Sequence, residues 1–373
     1  MSIARGRSIT TSAQRLPGCH ELFFVCKEAA TSYYIYILMR AWDWFRNLFE
    51  HSEPAAVPPK QQDDFFHGAN LPWIRYGCDF GTNEWHPRGG MAQEERRDEL
   101  RNSFRTLAGA DVRVVRWFML CDGRAGLRFD HNNISLDASF FPDVDAALQI
   151  AEEFGIRIMF VLFDFHWFHR ARVVEGVQLG GRGRFFTKSL LRRRILENVL
   201  RPIFARYAKH PAIHSWDIFN EPDWILRGIG AWKPAGSCSL KTFRTFVDDV
   251  ARMIHQETIH PATLGLARRS SLQHFRDCAL DLYQVHWYDG HFEEVGTPLD
   301  FHAPVILGEF PTAGSRLSVA QILQDARDAG FAGALAWSVR DTVNLSSLPS
   351  FLDGLQEFRA VATEAVTTNE ASS

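Results

Sequence analysis

The stretch IHSWDIFNEPDW, Ile213–Trp224, is an apolar run that ends abruptly in an amide, a carboxylate and a proline. Its Ile, Trp and Phe residues are typical of a buried β-strand. Asn220 and Glu221 close the run, although such side chains are rarely buried without partners. The pattern therefore predicts a strand that presents two polar groups at its carboxyl end.

Short β-rich runs of the same kind alternate with segments of helical period on both sides of this stretch. In the segment EERRDELRNSFRTLAG, for example, Leu100, Phe104 and Leu107 recur at helical spacing and Gly109 predicts the helix end. A later helix is predicted to begin at a cap formed by Thr187. The predicted strands are WIRYGCDFG from Trp73, VRVVRWFML from Val112, IRIMFVLFDFH from Ile156, IHSWDIFN from Ile213, ATLGLA from Ala262, LYQVHWYD from Leu282, PVILGEF from Pro304 and GALAWSV from Gly333.

Eight apolar strands separated by helices or loops predict an α/β fold, a (β/α)8 TIM barrel. An open doubly wound sheet is the alternative. The connections from the fifth to the sixth strand and from the sixth to the seventh are short, each with room for one short helix or loop. The catalytic domain is predicted to span residues 66–366, between an N-terminal extension at 1–65 and a C-terminal tail at 367–373.

Composition limits the partners of the chain. A formal net charge of -3 over 373 residues gives no electrostatic argument for binding nucleic acid or an anionic membrane. Six cysteines without a C-x-x-C pair favour neither a zinc site nor a disulfide framework. Small molecules and neutral polymers are therefore the expected ligands, and no cofactor is expected.

The N-terminal extension differs from the rest of the chain, with a basic Ser/Thr-rich start, an aromatic segment and a proline-bearing linker. Glu21, Lys27 and Glu28 interrupt any signal-like apolar run, and YYIYILM is too short to cross a bilayer. The pattern favours a cytoplasmic location over export and predicts no transmembrane segment. A disordered extension, with Met39 as the true start, and an amphipathic surface-binding segment are both open interpretations.

In a barrel of this class the carboxyl ends of the strands open onto the active-site face. Polar or aromatic residues at those ends are therefore candidates for contact with a ligand. They are Arg116, Asp164, His166, Asn220, Glu221, His286, Tyr288, Glu309 and Trp337.

Glu221 and Glu309 stand out because they close the fourth and seventh strands. A carboxyl pair across a cavity suits glycosidic cleavage, in which one group protonates the leaving oxygen and the other stabilises or attacks the anomeric carbon. The two groups need different pKa values, and Arg116 would favour the ionised form of a neighbouring glutamate. His286 and Tyr288 lie two residues apart, so they face the same side of their strand.

The sequence HPAIHSWDIFNEP resembles the strand-four signature of the clan A glycoside hydrolases. HWY, ILGEF and AW resemble the later strands of family 5, the cellulase and endo-mannanase group, and the similarity extends from Trp73 to Phe358. The resemblance implies that Glu221 is the acid/base and Glu309 the nucleophile of a retaining, double-displacement β-glycosidase. Such enzymes hold their carboxyl groups ~5–5.5 Å apart. The implied substrate is an oligo- or polysaccharide, a β-linked glucan or mannan.

The remaining positions follow from the same resemblance. Arg116 matches the arginine that holds the nucleophile, and His166 matches the strand-three histidine of the sugar site. Asn220 matches the amide that contacts the sugar 2-hydroxyl. His286 and Tyr288 match the H-x-Y pair of strand six, and Trp337 matches the platform of strand eight.

Other functions have less support in the sequence. A metal-dependent hydrolase is disfavoured because WIRYGCDFG contains no H-x-H pair, and LGGRGRF lacks the Lys-Ser/Thr of a phosphate-binding loop. A non-catalytic carbohydrate-binding barrel and a transglycosylase that uses the same covalent intermediate are open alternatives. The sequence also leaves endo and exo action open.

Overall fold

The computed structural model describes residues 65–229, 237–291, 293–340 and 344–370, and side chains as far as residue 361. The described residues all belong to one compact unit, Lys60–Ser373. The predictions made for the N-terminal extension thus fall on residues outside the described ranges. Within those ranges, every helix is too short or too polar to cross a membrane.

Eight parallel strands close into a barrel, which confirms the predicted fold class. Each strand pairs with the next one around the barrel, and the last pairs with the first through Phe66↔Gly333 to Asn70↔Trp337. In order around the barrel the strands are β1 (Phe66–Asn70), β2 (Val114–Phe118), β5 (Arg157–Val161), β8 (Ile213–Asn220), β9 (Ala262–Leu266), β10 (Leu282–His286), β11 (Val305–Pro311) and β12 (Gly333–Trp337). Two antiparallel hairpins lie outside the barrel, formed by β3 (Leu127–Asp130) with β4 (Asn133–Leu136) and by β6 (Arg172–Val174) with β7 (Val177–Leu179).

Helices cover the outside of most strands. They are α1 (Glu94–Gly109), α2 (Phe140–Glu153), α3 (Arg184–Thr187), α4 (Ser189–Ile195), α5 (Arg201–Arg206), α6 (Leu240–Glu257), α7 (Leu272–Phe275), α8 (Val319–Asp328) and α9 (Leu348–Glu370). The predicted short connections are confirmed: only a 3-10 turn and the four-residue α7 lie between β9 and β10, and the described residues between β10 and β11 form no helix.

The predicted first strand is wrong. WIRYGCDFG forms a turn, and the first strand is the preceding FHGAN segment. The turn closes around the buried Asp79 carboxylate, which accepts the backbone N–H groups of Ile74 and Arg75 at 2.6 and 2.7 Å and the indole N–H of Trp117 at 2.9 Å. Burial of this apolar stretch therefore comes from packing around a carboxylate and not from strand pairing.

The predicted helix cap at Thr187 is also wrong. Thr187 ends α3, and α4 begins after Lys188, whose side chain makes no capping hydrogen bond. α3 and α4 are separate short helices, so Thr187 lies at the end of one helix and not at the start of the next.

The lower part of the barrel interior is apolar. Val114, Met159, Ile306 and Leu335 pack together there, each nearly or fully buried. Full burial of side chains of this size stabilises a fold by roughly 1.5–3 kcal/mol each. This apolar layer supports the polar side chains that lie further along the same strands.

Candidate active site

Arg116 is the centre of a polar network in the upper part of the barrel. Its side chain is fully buried and lies two residues beyond Val114 on β2, so both face the interior. The guanidinium donates to Asp217 Oδ2 at 2.9 Å, to Glu309 Oε1 at 2.7 Å and to Asn220 Oδ1 at 2.7 Å. Burial lowers the pKa of Arg116, but the two carboxylates outweigh that effect and raise it overall.

Glu309 lies near the end of β11 and is almost completely buried. Besides the bond from Arg116, its carboxylate accepts the hydroxyl of Tyr288 through Oε2 at 2.8 Å. Burial raises the pKa of Glu309, whereas the neighbouring His286 and Arg116 oppose that rise. A cation and a hydroxyl donor on the two oxygens favour the ionised form of this carboxyl group.

Glu221 follows β8 directly and has a left-handed backbone, with φ of 47° and ψ of 55°. Its Oε2 accepts the indole N–H of Trp224 at 2.8 Å, and its Oε1 lies 2.8 Å from His286 Nδ1. Burial raises the pKa of Glu221 to about 7. Glu221 has no direct ion pair with Arg116, so its environment favours the protonated form more than that of Glu309 does.

His286 lies between the two glutamates. Its Nδ1 is 2.8 Å from Glu221 Oε1 and 3.5 Å from Glu309 Oε2. Burial lowers the pKa of His286 to about 4, so the ring is neutral at neutral pH. One donor atom from each of these three residues falls within 4.8 Å of the other two, so the carboxyl groups face each other across a short gap.

The same three residues could offer two carboxylate oxygens and one imidazole nitrogen to a metal ion. Arg116 and Tyr288 already donate to the two oxygens of Glu309. A guanidinium at 2.7 Å would repel a bound cation. The cluster therefore suits proton transfer and nucleophilic chemistry better than metal binding.

Asn220 and His166 are joined through Asp164. The Asn220 amide donates to Asp164 Oδ2 at 3.0 Å, while Asp164 Oδ1 accepts the backbone N–H of His166 at 2.8 Å and also contacts His166 Nδ1. Tyr76 lies on the other side, with its hydroxyl 3.3 Å from His166 Nδ1. Although burial alone lowers the pKa of His166, Asp164 outweighs that effect and raises it. His166 thus joins the site through Asp164 and Asn220 rather than by touching either glutamate.

Trp337 ends β12 and is partly exposed at the barrel mouth. Its ring packs edge-on against Trp73 and Phe118, with centroids 6.1 and 6.4 Å apart. Trp73 comes from the turn that was expected to be the first strand. The structure therefore adds a second tryptophan next to the predicted platform.

Seven of the eight predicted site residues lie at or near the carboxyl ends of barrel strands or in the loops that follow them, whereas Arg116 lies in the middle of β2. Six of the eight form one contact network: Arg116, Asn220, Glu221, His286, Tyr288 and Glu309. His166 connects to this network through Asp164, and Trp337 lies beside Asn70 in the register of β12 with β1. Their roles in binding and catalysis stay predictions.

Sequence reasoning missed several residues that build the site. Asn70 ends β1, accepts from Arg116 at 3.1 Å and donates to the Gly308 carbonyl at 3.0 Å. Asp217 is fully buried and pairs with Arg116 from the middle of β8. A mid-strand aspartate within the apolar run of β8 was a signal that could have identified it, because a buried carboxylate needs a partner.

Gly265 on β9 leaves room for the side chains of Arg116 and His286. A Cβ atom there would lie 2.8 Å from Arg116 Nη2 and 3.2 Å from His286 Nε2. Any larger residue would collide with the network, so this glycine is part of the site although it contributes no functional group.

Known proteins that are similar to this chain in sequence or in fold include β-mannanases. No family model matches the chain. The mannan endo-1,4-β-mannosidase of Mytilus edulis is 22% identical over 344 residues, which cover 79% of this chain and 88% of that protein.

Solved structures agree with this relationship. The endo-1,4-β-mannanase of Eisenia fetida superimposes with a TM-score of 0.65 at 19% identity, over 78% of this chain and 90% of that one. The glycoside hydrolase family 5 mannosidase of Rhizomucor miehei superimposes with a TM-score of 0.51 at 12% identity, over 80% of this chain and 94% of that one. The chain thus has family 5-like β-mannanases among its relatives, which confirms the resemblance seen in the sequence.

Proposed function

We propose that this protein is a retaining endo-1,4-β-mannanase in which Glu221 is the acid/base and Glu309 the nucleophile. The observation that carries the proposal is the carboxyl pair at the barrel mouth, with oxygens of both groups within 4.8 Å of His286 and of each other. Oxygens no more than 4.8 Å apart are compatible with the ~5–5.5 Å between the carboxyl groups of retaining enzymes and favour that class over inverting enzymes, whose groups are ~6.5–9.5 Å apart. The mannanase relatives favour mannan over glucan as the substrate.

The reaction would proceed in two steps. In the first, a Glu309 oxygen bonds to the anomeric carbon while the glycosidic C–O bond breaks and Glu221 gives its proton to the departing oxygen. In the second, Glu221 takes a proton from water, whose oxygen attacks the anomeric carbon and releases Glu309. The two inversions together retain the β-configuration.

The surroundings of the two carboxyl groups support this division of roles. Arg116 and Tyr288 both donate to Glu309, which keeps a nucleophile ionised and oriented. Glu221 has an indole N–H and a neutral imidazole as neighbours, and burial raises its pKa to about 7, close to the value that suits a general acid at neutral pH.

The test is sugar release from mannan, glucomannan, xylan, mixed-linkage glucan, carboxymethyl-cellulose and aryl β-glycosides. We expect the wild type to release oligosaccharides of several lengths from mannan, with the β-anomer formed first in proton NMR. Glu309→Ala should lower the rate by at least about 10⁴-fold, because nucleophile and acid/base act as a unit.

Glu257→Gln is the matched control, since it removes a glutamate paired with Arg201 in the helical layer. It should leave the rate unchanged. Initial release of the α-anomer would contradict the retaining mechanism. If the wild type bound mannooligosaccharides without cleaving any substrate of the panel, the carbohydrate-binding barrel would be favoured.

A further inference from the structure

The backbone of Glu221 is in the left-handed conformation, with φ of 47°, which residues other than glycine rarely adopt. Such a residue keeps its geometry only where its surroundings fix it. One fixed contact is the Glu221 N–H, which donates to the Gly265 carbonyl at 2.8 Å. A second contact is needed on the far side of the residue, where the chain continues as Pro222 and Asp223.

Asp223 provides a second contact. Its side chain is fully buried, and its Oδ2 accepts the backbone N–H of Ala267 at 2.9 Å while Oδ1 accepts the hydroxyl of Ser271. Both donors belong to the segment that follows β9. Burial raises the pKa of Asp223 to about 6, against the opposing effect of these two hydrogen bonds, so the group is largely ionised at neutral pH.

The same linkage reaches the carboxyl group of Glu221 through Trp224. Trp224 follows Asp223 in the short 3-10 helix Pro222–Ile225, and its indole N–H donates to Glu221 Oε2 at 2.8 Å. The Arg268 guanidinium, one residue beyond Ala267, lies 5.1 Å from the centre of the Trp224 ring. The backbone and the carboxyl group of Glu221 are therefore both tied to the segment after β9.

We infer that Asp223 is a positioning residue for the acid/base: by holding Ala267 and Ser271 it fixes the direction in which Glu221 presents its proton. This inference rests on the proposed function. Loss of Asp223 would leave Glu309, Arg116 and their contacts in place but would misdirect the proton given to the leaving oxygen. Only substrates whose leaving group needs that proton would be affected.

The experiment compares kcat/KM for two substrates with the same sugar but different leaving groups. Mannopentaose needs a proton on its departing oxygen, whereas 2,4-dinitrophenyl β-mannobioside releases a stable phenolate without one. Asp223→Ala should lower kcat/KM for mannopentaose by about 10²-fold, the cost of a displacement of about 1 Å, and should change that for the aryl substrate little. Asp223→Asn keeps an oxygen for the Ala267 N–H and should recover part of the loss.

Asp143→Asn is the control. Asp143 is another fully buried aspartate that accepts three backbone N–H groups, from Gly81, Gly90 and Ala92, at 2.7 to 2.8 Å, and it makes no contact with Glu221. This variant should lower Tm without changing the ratio of the two kcat/KM values. Ser271→Ala removes a single hydroxyl and should reproduce the selective loss to a smaller extent; it decides the question if Asp223→Ala fails to fold.

An equal fall on both substrates, with a Tm loss like that of Asp143→Asn, would show that Asp223 serves folding alone and would overturn the inference. The inference would also be overturned if Asp223→Ala left kcat/KM unchanged for both substrates. If Asp223→Ala fails to fold, the same result in Ser271→Ala would overturn it. A wild type that cleaves neither substrate would overturn the proposed function first, and the inference with it.

Discussion

The interior of the barrel has two levels that use the same strands for different purposes. On β2, Val114 packs with Met159, Ile306 and Leu335 in the lower level, whereas Arg116, two residues later, donates hydrogen bonds to polar side chains. The lower level gains its stability from removing apolar surface from water. The upper level depends on pairing of its charged groups, because a buried charge without a partner is costly. The two levels should therefore respond differently to substitution.

The largest effect is expected from Arg116→Met. It leaves Asp217 and Glu309 buried without their cation, and breaking a buried pair in this way costs about 3–5 kcal/mol. The free energy of unfolding, measured by urea denaturation, should fall by that amount, and the proposed mannanase activity should be lost with the orientation of Glu309. A loss below about 1 kcal/mol would show that the upper level does not depend on pairing.

Ile306→Ala tests the lower level. The cavity left by this fully buried side chain should lower the free energy of unfolding by about 2–5 kcal/mol. The kcat/KM of the folded protein should stay at the wild-type value, since Ile306 packs in the apolar cluster of this level with Val114, Met159 and Leu335. A strong fall in kcat/KM without loss of stability would contradict the separation of the two levels.

The upper level should also respond to pH. In its proposed role, Glu221 can donate a proton only while protonated, so kcat/KM should fall above pH 7, near its raised pKa of about 7. On the acidic side, activity should decline as Glu309 is protonated, at a pH above the ordinary range of glutamate because burial raises its pKa. A pH profile that is flat from 6 to 9 would contradict the assignment of Glu221.

The stability of the fold should change with pH in the same range. The folded state binds the Glu221 proton more tightly than the unfolded state does, because burial raises the folded pKa from 4.5 to about 7. The stabilisation from this proton is complete below pH 4.5 and is lost as the pH rises through 7. Glu221→Gln cannot titrate, so its unfolding free energy should depend less on pH over that interval.

The smallest effect is expected at the rim of the upper level. Trp337→Ala removes one aromatic face from the barrel mouth, which should raise KM for mannooligosaccharides by up to about tenfold, the equivalent of an aromatic contact of ~0.5–1.5 kcal/mol. Phe351→Leu, at a buried position on α9, serves as a control and should leave KM unchanged. An unchanged KM in Trp337→Ala would remove Trp337 from the sugar-binding surface.

The sequence predicted the strands that are long and apolar, and from them the barrel. It also predicted which strand ends carry polar groups, because the direction of parallel strands places those ends on one face. β1 was missed because FHGAN is short and contains Gly68 and Ala69, whereas the apolar turn after it, from Trp73, imitates a strand. Asn70 was missed together with β1.

Contacts inside the upper level could not be predicted in the same way. Arg116 and Glu309 are 193 residues apart, and their contact depends on closure of the barrel through pairing of β1 with β12. Asp217 lies within an apolar run, and the guanidinium that reaches it from β2, together with the backbone N–H of Gly265 on β9, explains why a carboxylate is tolerated there. These pairings are properties of the closed barrel and not of any one segment.

Gly265 limits the substitutions that this protein can accept in β9. A methyl group at this position would stand within 2.8 Å of the Arg116 guanidinium, so the first substitution beyond glycine already displaces the group that holds Glu309. A library that randomises β9 and is selected for turnover should therefore retain glycine at position 265, whatever it accepts at positions 264 and 266. The space that Gly265 leaves beside Arg116 would then limit sequence variation as strictly as a charged side chain of the site does.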